Sequence, residues 1–563
     1  MLCLVHFYEE WTDFRVAEMA QLLKLLQADF SVVDDATLAA DSVFLLVELP
    51  SAEVAAALAE RSVLIRSIYQ VWAHEASFAL LVAKVQALHA ARSELVLGCG
   101  DGSWCVDVLS YCKTLKKEEK DSLRDSFAFL DLPGPVALKN AQVTISVNLD
   151  YSQHKRGIQS GSYAPSVAGE VPCYCGRLLG RGGMKEALKK YHLQKRLFLG
   201  PTTLDHALAL IMCNLAGVTS NQLVLDPFVG TASLLIAAAH LQAHTVGTDI
   251  DIRVLKGGMY AGANRDKKQA DALAAADAAA AGGTAMTESQ KAAAASAAAR
   301  AGRPAEKRDI MATFRNYGLA PPELIRMDLH SFERHWQMQM VDNEQDGVFD
   351  AIVTDPPYGI RAGGRKSGKK DGVQYHIDRE RRSAHVPATQ NYPVEEVMLD
   401  LMHAAARLLV RGGRLCYLIP TPYDFRLSDL PQHPCLRVEQ LCLQGLSTRH
   451  GRHAVLLSKH CVYTPAMQAE FSAYRLRVMS GRDVGGFGSL MGKLQAALDP
   501  GAHEDEDVVK RKSKLCVKRQ QSKVTKGVYR EAQKAEHASK KVTKDAAEPP
   551  PSDSATEKVV FNL

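Results

Sequence analysis

Residues 222–249 read QLVLDPFVGTASLLIAAAHLQAHTVGTD. The apolar triplet Leu223-Val224-Leu225 is followed by a turn from Asp226 to Gly230. A helix-forming run from Ala232 to Gln242 comes next, then a second short apolar run from His244 to Thr248. Strand, loop, helix and strand in that order open a parallel βαβ unit. Two further short runs, Leu324-Ile325-Arg326-Met327 and Phe349 to Val353, each stand just before an aspartate. Val394, Val397, Met398, Leu401, Met402, Ala405, Leu408 and Leu409 recur at three- and four-residue spacing, which predicts an amphipathic helix that Gly412-Gly413 should stop. Arg414 to Ile419 reads as a buried strand, and Leu436 to Leu443 with Ala454 to Ser458 as a closing antiparallel pair. The expected fold is a doubly wound α/β domain over residues 186–480.

Working outward, residues 1–185 mix strand-like runs (Cys3 to Phe7, Val43 to Glu48) with helix-like ones (Val16 to Leu26, Ala83 to Ala91), which predicts an α+β region of underived topology. Two segments lack the apolar residues a core needs: the alanine-rich insertion at 262–308 and the tail at 499–563, both expected to be disordered. The net charge is +5, yet Lys510 to Leu563 alone holds 14 Lys and Arg against 6 Asp and Glu, leaving the rest at −3. The basic character is in the tail, which attracts polyanions without specifying one. No apolar run is long enough to span a membrane and the N-terminus is not leader-like, so a cytoplasmic protein is expected. The 12 cysteines are scattered, with Cys173 and Cys175 too close for a zinc pair, so no metal site is expected.

Ligands of open α/β sheets bind beyond the carboxyl ends of the strands. There the sequence places Asp226-Pro227-Phe228-Val229-Gly230-Thr231, then Asp249-Ile250, then Asp328-Leu329, then Asp355-Pro356-Pro357-Tyr358. Gly230 lets a ligand approach the backbone, Asp249 is placed to accept both hydroxyls of a ribose, and Asp328 to accept from an adenine amino group. Ribose and adenine with a non-phosphate group over the turn fit S-adenosylmethionine. A dinucleotide, the rival, wants a glycine triplet where only Gly230 stands. The second glycine loop, Gly98 to Gly102, has no acid-ended strand after it and reads as a turn.

The Asp355 carboxylate and the Pro356 carbonyl offer two acceptors for the N–H bonds of an exocyclic base amine. The prolines, Pro356 and Pro357, fix the backbone, and Tyr358 offers a face for stacking. By itself the motif does not choose between guanine, adenine and cytosine, and a strand-terminating turn is its structural alternative.

These residues resemble the class I amino-methyltransferases. More narrowly, Lys190 to Arg196, Phe198 to Asp205, Leu208 to Asn214, Gly247 to Asp251, Phe314 to Leu319 and Asp355 to Arg361 (DPPYGIR) resemble the tRNA guanosine-10 N2-methyltransferase family. The resemblance implies a Rossmann-like class I methyltransferase domain, a tRNA-binding THUMP module in residues 1–185, and guanine N2 of tRNA as target. It also implies that Thr202 and Thr203 approach the cofactor's carboxylate end, and that a small zinc-binding activator subunit adds to the sheet near Arg414 to Ile419 or the helix before it. Ala232 departs from the family's glycine. The cations Arg361, Arg365, Lys366, Lys369 and Lys370, just after the motif and among glycines, are expected to form a mobile loop that holds the RNA backbone. An adenine N6-methyltransferase and an inactive RNA-binding relative are the alternatives that the residues leave open.

Overall fold

The computed structural model describes residues 1–33, 42–92, 100–152, 171–200, 202–257, 309–336, 346–358, 363–368, 388–447, 449–482 and 486–498. The alanine-rich insertion, the C-terminal tail, Arg361, Lys369 and Lys370 lie outside them.

The N-terminal region is a seven-stranded sheet made of β1 (Leu2–Phe7), β2 (Ser31–Val32), β3 (Phe44–Glu48), β4 (Ile65–Glu75), β5 (Trp104–Tyr111), β6 (Val143–Asp150) and β7 (Cys173–Arg181), in the order β2-β3-β1-β4-β7-β6-β5. All neighbours are antiparallel except β5 and β6. Its helices are α1 (Arg15–Leu25), α2 (Ala52–Arg61), α3 (Phe78–Ala90) and α4 (Lys117–Asp125). Ser51 and Ser77 cap α2 and α3 by accepting the Val54 and Leu80 amides. The four elements expected here are present, with α3 beginning five residues earlier than Ala83 because Ser77 supplies the cap.

A short helix, α5 (Lys185–Tyr191), leads into the second sheet. That sheet holds β8 (Leu223–Asp226), β9 (His244–Asp249), β10 (Glu323–Arg326), β11 (Phe349–Thr354), β14 (Leu409–Pro422), β15 (Leu436–Gly445) and β16 (His450–Lys459). The order is β10-β9-β8-β11-β14-β16-β15, parallel throughout except for β16, which runs against both β14 and β15. Between β11 and β14, β12 (Gly364–Ser367) and β13 (Thr389–Tyr392) form a separate two-stranded ribbon.

Helices α6 (His206–Leu215), α7 (Ser233–His240), the single turn α8 (Ile252–Leu255) and α9 (Ile310–Tyr317) belong with one face. There Leu208, Ile211, Leu235 and Phe314 join a core shared with Met19 and Leu22 of α1. On the other face α10 (Val394–Leu408), α11 (Pro465–Met479) and α12 (Phe487–Leu498) bury Met398, Leu401, Phe471 and Leu490. Apolar side chains on both faces of a parallel sheet are what the short uninterrupted runs predicted.

Two local expectations are corrected. The glycines do not stop α10: it ends at Leu408, Leu409 is already extended, and Gly412, at φ +83°, and Gly413 lie inside β14. The strand from Arg414 to Ile419 is not an edge, because β11 and β16 occupy both of its sides. An added strand cannot hydrogen-bond there, and α10 before it is largely buried.

The two sheets are joined by a buried polar knot. The fully buried Glu18 carboxylate of α1 accepts from Ser62 Oγ (2.6 Å), the Val63 and Leu64 amides, and Asn214 Nδ2 (2.7 Å) at the end of α6. Arg61 Nε donates to Asn214 Oδ1 at 3.0 Å, and the same guanidinium reaches the Val218 carbonyl. No helix among the described residues is long and apolar enough to cross a membrane.

Candidate active site

Because β8 lies between β9 and β11, the loops leaving β8 and β11 diverge and open a crevice at the carboxyl end of the sheet. The four expected acidic positions gather at that end. Asp226 is buried, and its Oδ1 accepts from Thr354 Oγ1 (2.8 Å) and from the Phe228 amide (3.1 Å), tying the end of β8 to that of β11. Burial, then the nearby Asp355 and Asp249 charges, push its carboxyl up to about 7 against those two hydrogen bonds.

Asp249 accepts from the Gly230 amide (3.3 Å) through one oxygen and from the Asp251 amide (2.8 Å) through the other. Burial raises it to about 6. Asp328 stands just past β10, where the Met327 amide donates to the Asp249 carbonyl. It caps the following turn through the His330 amide (3.1 Å) and takes the Ser367 amide of β12 at 2.6 Å. Leu329 beside it is buried.

The glycine turn is shaped by its backbone. Gly230 has φ +48°, and a Cβ there would meet only the Phe228 carbonyl, at 3.8 Å, so its open side faces the crevice. Pro227 is buried and its carbonyl accepts from Thr248 Oγ1, while Phe228 and Thr231 are half-buried. Thr231 Oγ1 donates to Thr203 Oγ1 at 3.1 Å, and Thr203 in turn closes on the Gly200 backbone. Thr202 is exposed and Ile250 half-buried. Ala232 precedes α7 at φ 64°, ψ 33°, a left-handed conformation costing a residue with a Cβ about 1–2 kcal/mol. That is the physical content of its departure from glycine, and it places the helix start at Ser233 rather than Ala232.

Asp355 follows β11. Its Oδ1 is buried without a hydrogen-bond partner, and burial raises its carboxyl to about 6. Pro356 is buried, Pro357 half-buried, and the Tyr358 ring packs between the two cores with its hydroxyl also unpartnered.

The basic loop is divided. Arg365 is exposed on β12, with a 3.4 Å hydrogen bond to Thr389. Lys366 is turned inward: Nζ lies 2.6 Å from Glu396 Oε2 and over the Tyr392 ring. Glu396 and Asp400 of α10 also hold Arg475, and Asp400 takes His330 Nδ1 at 2.8 Å and the Tyr392 hydroxyl at 2.5 Å. Lys366 is thus one of two cations in a charge-balanced cluster that anchors the ribbon, and the reading of it as a free phosphate contact is corrected.

Sequence reading also missed Arg196. Burial lowers its guanidinium to about 10, and it donates to Ser233 Oγ (2.6 Å) and the Thr231 carbonyl (2.7 Å), clamping the glycine turn to the segment before α6. A single arginine ending the run Leu193-Gln194-Lys195-Arg196 gives no hint of burial.

The donor set fits a cationic adenosyl cofactor. Four carboxylates around one crevice repel a pyrophosphate and favour hydroxyl and amino donors beside a positive centre, while Gly230 leaves its side of the cradle open. This strand order with a glycine turn after the first strand and Asp-Pro-Pro-Tyr after the fourth defines a class I, S-adenosylmethionine-dependent methyltransferase. Residues 1–171 match the Tmrp11 THUMP N-terminal domain, and residues 194–370 the RMKL-like methyltransferase domain. The tRNA (guanine(10)-N(2))-methyltransferase TRMT11 of Mus musculus is 31% identical over 454 residues, 80% of this chain and 86% of that protein. Its counterpart in Dictyostelium discoideum is 28% identical over 485 residues, 82% of this chain and 83% of that protein. The chain belongs to the TRMT11 family of tRNA (guanine(10)-N(2))-methyltransferases.

Proposed function

We infer that this chain transfers a methyl group from S-adenosylmethionine to the N2 amine of a guanosine in tRNA, at position 10 as its relatives' names state. The observation that carries the residue assignment is the buried, unpartnered Asp355 Oδ1 at the mouth of the crevice. An aniline-like amine is a weak nucleophile, because its lone pair is delocalised into the ring. Asp355 Oδ1 and the Pro356 carbonyl accept its two N–H bonds and turn the lone pair toward the crevice, and Tyr358 stacks on the base. Asp355 then takes the proton that the nitrogen sheds once it is cationic. The cofactor supplies an electrophilic methyl on a sulfonium.

Asp249 would hold the ribose hydroxyls. Asp328 would hold the adenine amine, each of its oxygens having a lone pair beyond the backbone donor it already accepts. Gly230, with Thr202, Thr203, Asp226, Pro227, Phe228, Thr231, Ile250 and Leu329, would shape the rest of the cradle. Residues 1–185, ending as α5 begins, would hold the tRNA, with Arg365 and the cations Arg361, Lys369 and Lys370 on its phosphates, in the cytoplasm. A small zinc-binding activator would add a strand at β10: it is an outermost strand, while the other edge, β15, already gives its Leu443 amide to Asp13 at 2.5 Å.

The test is methyl transfer from labelled cofactor to unmodified tRNA, followed by nucleoside mass spectrometry. N2-methylguanosine is expected; N6-methyladenosine would overturn the reading. Asp355→Ala should abolish transfer while leaving tRNA affinity within a few fold, and wild-type turnover in that variant would remove Asp355 from the mechanism.

A further inference from the structure

Strand β16 runs antiparallel to β14, so its first residues, unlike those of the parallel strands, lie at the carboxyl end of the sheet. Arg452 pairs with Pro420 there, beside the crevice. Its Nε donates to Gln444 Oε1 of β15 at 2.5 Å, and Nη1 lies 4.0 Å from Asp355 Oδ2, with the two side chains 17% and 21% exposed. Asp355 is therefore asymmetric: one oxygen faces a fixed cation and the other, Oδ1, is left without a partner. We propose that Arg452 is the positioning residue of the methyl-transfer site, holding Asp355 ionised and oriented through Oδ2 so that, of its two oxygens, Oδ1 is the one left to accept a substrate N–H.

The proposal rests on the reading of Asp355 as the amine acceptor. The charges around the pair define its task. Asp226, from β8, repels the Asp355 carboxylate, and Asp249 stands behind Asp226. Asp205, which caps α6, is a second carboxylate whose charge is felt at Arg452. Burial alone pushes Asp355 upward and Arg452 opposes it, leaving the carboxyl near 6. A neutral acid cannot take up the released proton, so without the guanidinium a growing fraction of the enzyme would stand inactive as pH falls. Arg452 keeps its own proton throughout, since no step asks it to give one up.

The experiment compares pH profiles of single-turnover methyl transfer for the full-length chain, with any subunit that co-purifies, as wild type, Arg452→Gln, Arg452→Lys and Gln444→Leu. Removing an opposite charge at this distance moves a carboxylate by about one unit or more. Arg452→Gln should therefore fall roughly tenfold further behind wild type at pH 5.5 than at pH 8.5, where only the loss of orientation shows. KM for tRNA, and cofactor affinity by calorimetry, should stay within about threefold. Arg452→Lys should restore most of the acid limb, and Gln444→Leu should shift it the same way by less. A deficit independent of pH, or one confined to KM for tRNA, would overturn the role, as would an unshifted acid limb. Should Arg452→Gln fail to fold, judged by circular dichroism, the Lys and Leu variants decide: wild-type limbs in Gln444→Leu together with a fully shifted limb in Arg452→Lys refute the proposal. Asp355→Asn separates the two readings. If it keeps the wild-type rate, the reading of Asp355 as an ionised proton acceptor is wrong, its amide oxygen still accepting an N–H; if it is strongly impaired while Arg452→Gln keeps the wild-type limb, only the Arg452 role fails.

Discussion

Asn214→Ala tests whether the two sheets work as one body. The Asn214 side chain is 1% exposed and makes two short bonds across the interface, Nδ2 to Glu18 Oε1 at 2.7 Å and Arg61 Nε to Oδ1 at 3.0 Å. A third, from Nδ2 to the Arg61 carbonyl, is weak at 3.4 Å. Alanine removes all three and leaves a fully buried carboxyl and a largely buried guanidinium each short of one partner. Hydrogen bonds to charged groups contribute about 1.5–3 kcal/mol each, and stranding a buried charged group costs about 3–5 kcal/mol. The three donors that remain on Glu18 moderate this, so a loss of about 3–4 kcal/mol is expected. At roughly 2–4 °C per kcal/mol for units of this size, the transition that includes the interface should fall by about 6–16 °C. Scanning calorimetry reads the midpoint, and tRNA methylation kinetics read the consequence: KM for tRNA should rise more than kcat falls, because RNA spanning both units loses its fixed frame. A midpoint within about 2 °C of wild type would refute the idea that this knot clamps the domains.

Asp226→Asn should change the pH dependence of stability. Its folded carboxyl is raised to about 7, so its contribution is complete below its unfolded value and is lost as pH rises through 7; the Asn variant should gain about 2–3 kcal/mol on wild type between pH 5 and pH 8, read by urea denaturation, and a parallel pair of curves would contradict this. Ala232→Gly relieves the left-handed strain but gives up a buried methyl worth about 0.8 kcal/mol. It should be neutral to about 1 kcal/mol stabilising, with cofactor affinity equal or better by calorimetry; a clear loss of both would mean that the Cβ packs in a way the dihedral argument misses. Lys366→Met leaves Glu396 with Arg475 as its cation and loosens the ribbon from Asp328, so cofactor affinity should weaken several fold without a change in the salt dependence of tRNA binding. A reduced salt slope would return Lys366 to the RNA contacts.

What could be read from the chain follows from the range of the interactions. The β8–α7–β9 unit was legible because its strands pair with near neighbours and its apolar runs are buried on both faces. The N-terminal topology was not, because β4 pairs with β1 on one side and with β7, far along the chain, on the other. The strand-end aspartates were found by position, since a loop after a parallel strand must open at the carboxyl edge. The charges were less readable. Lys366 and Arg365 are adjacent in sequence and point to opposite environments, because alternate residues of a strand face opposite ways and only one side of β12 meets α10. Arg452 carries no local signature either; it reaches Asp355 because one strand runs backwards.

Helix α6 connects these observations. Its first turn is capped by Asp205, whose charge is felt at Arg452 beside the crevice, and its last turn carries Asn214, which reaches Glu18 in the first domain. Just before it, Thr203 bonds Thr231 of the glycine turn, and Arg196 fastens the turn's carbonyl and Ser233. The run from Lys190 to Asn214, which carried the resemblance to the tRNA methyltransferases more than the glycine turn itself did, is thus the segment that touches the glycine turn, the neighbourhood of Asp355 and the domain interface at once. A general amino-methyltransferase needs only the first two of these. Because a tRNA enzyme must also hold its RNA-binding domain at a fixed distance from the reacting nitrogen, the sequence of this segment distinguishes substrates that the Asp-Pro-Pro-Tyr motif cannot.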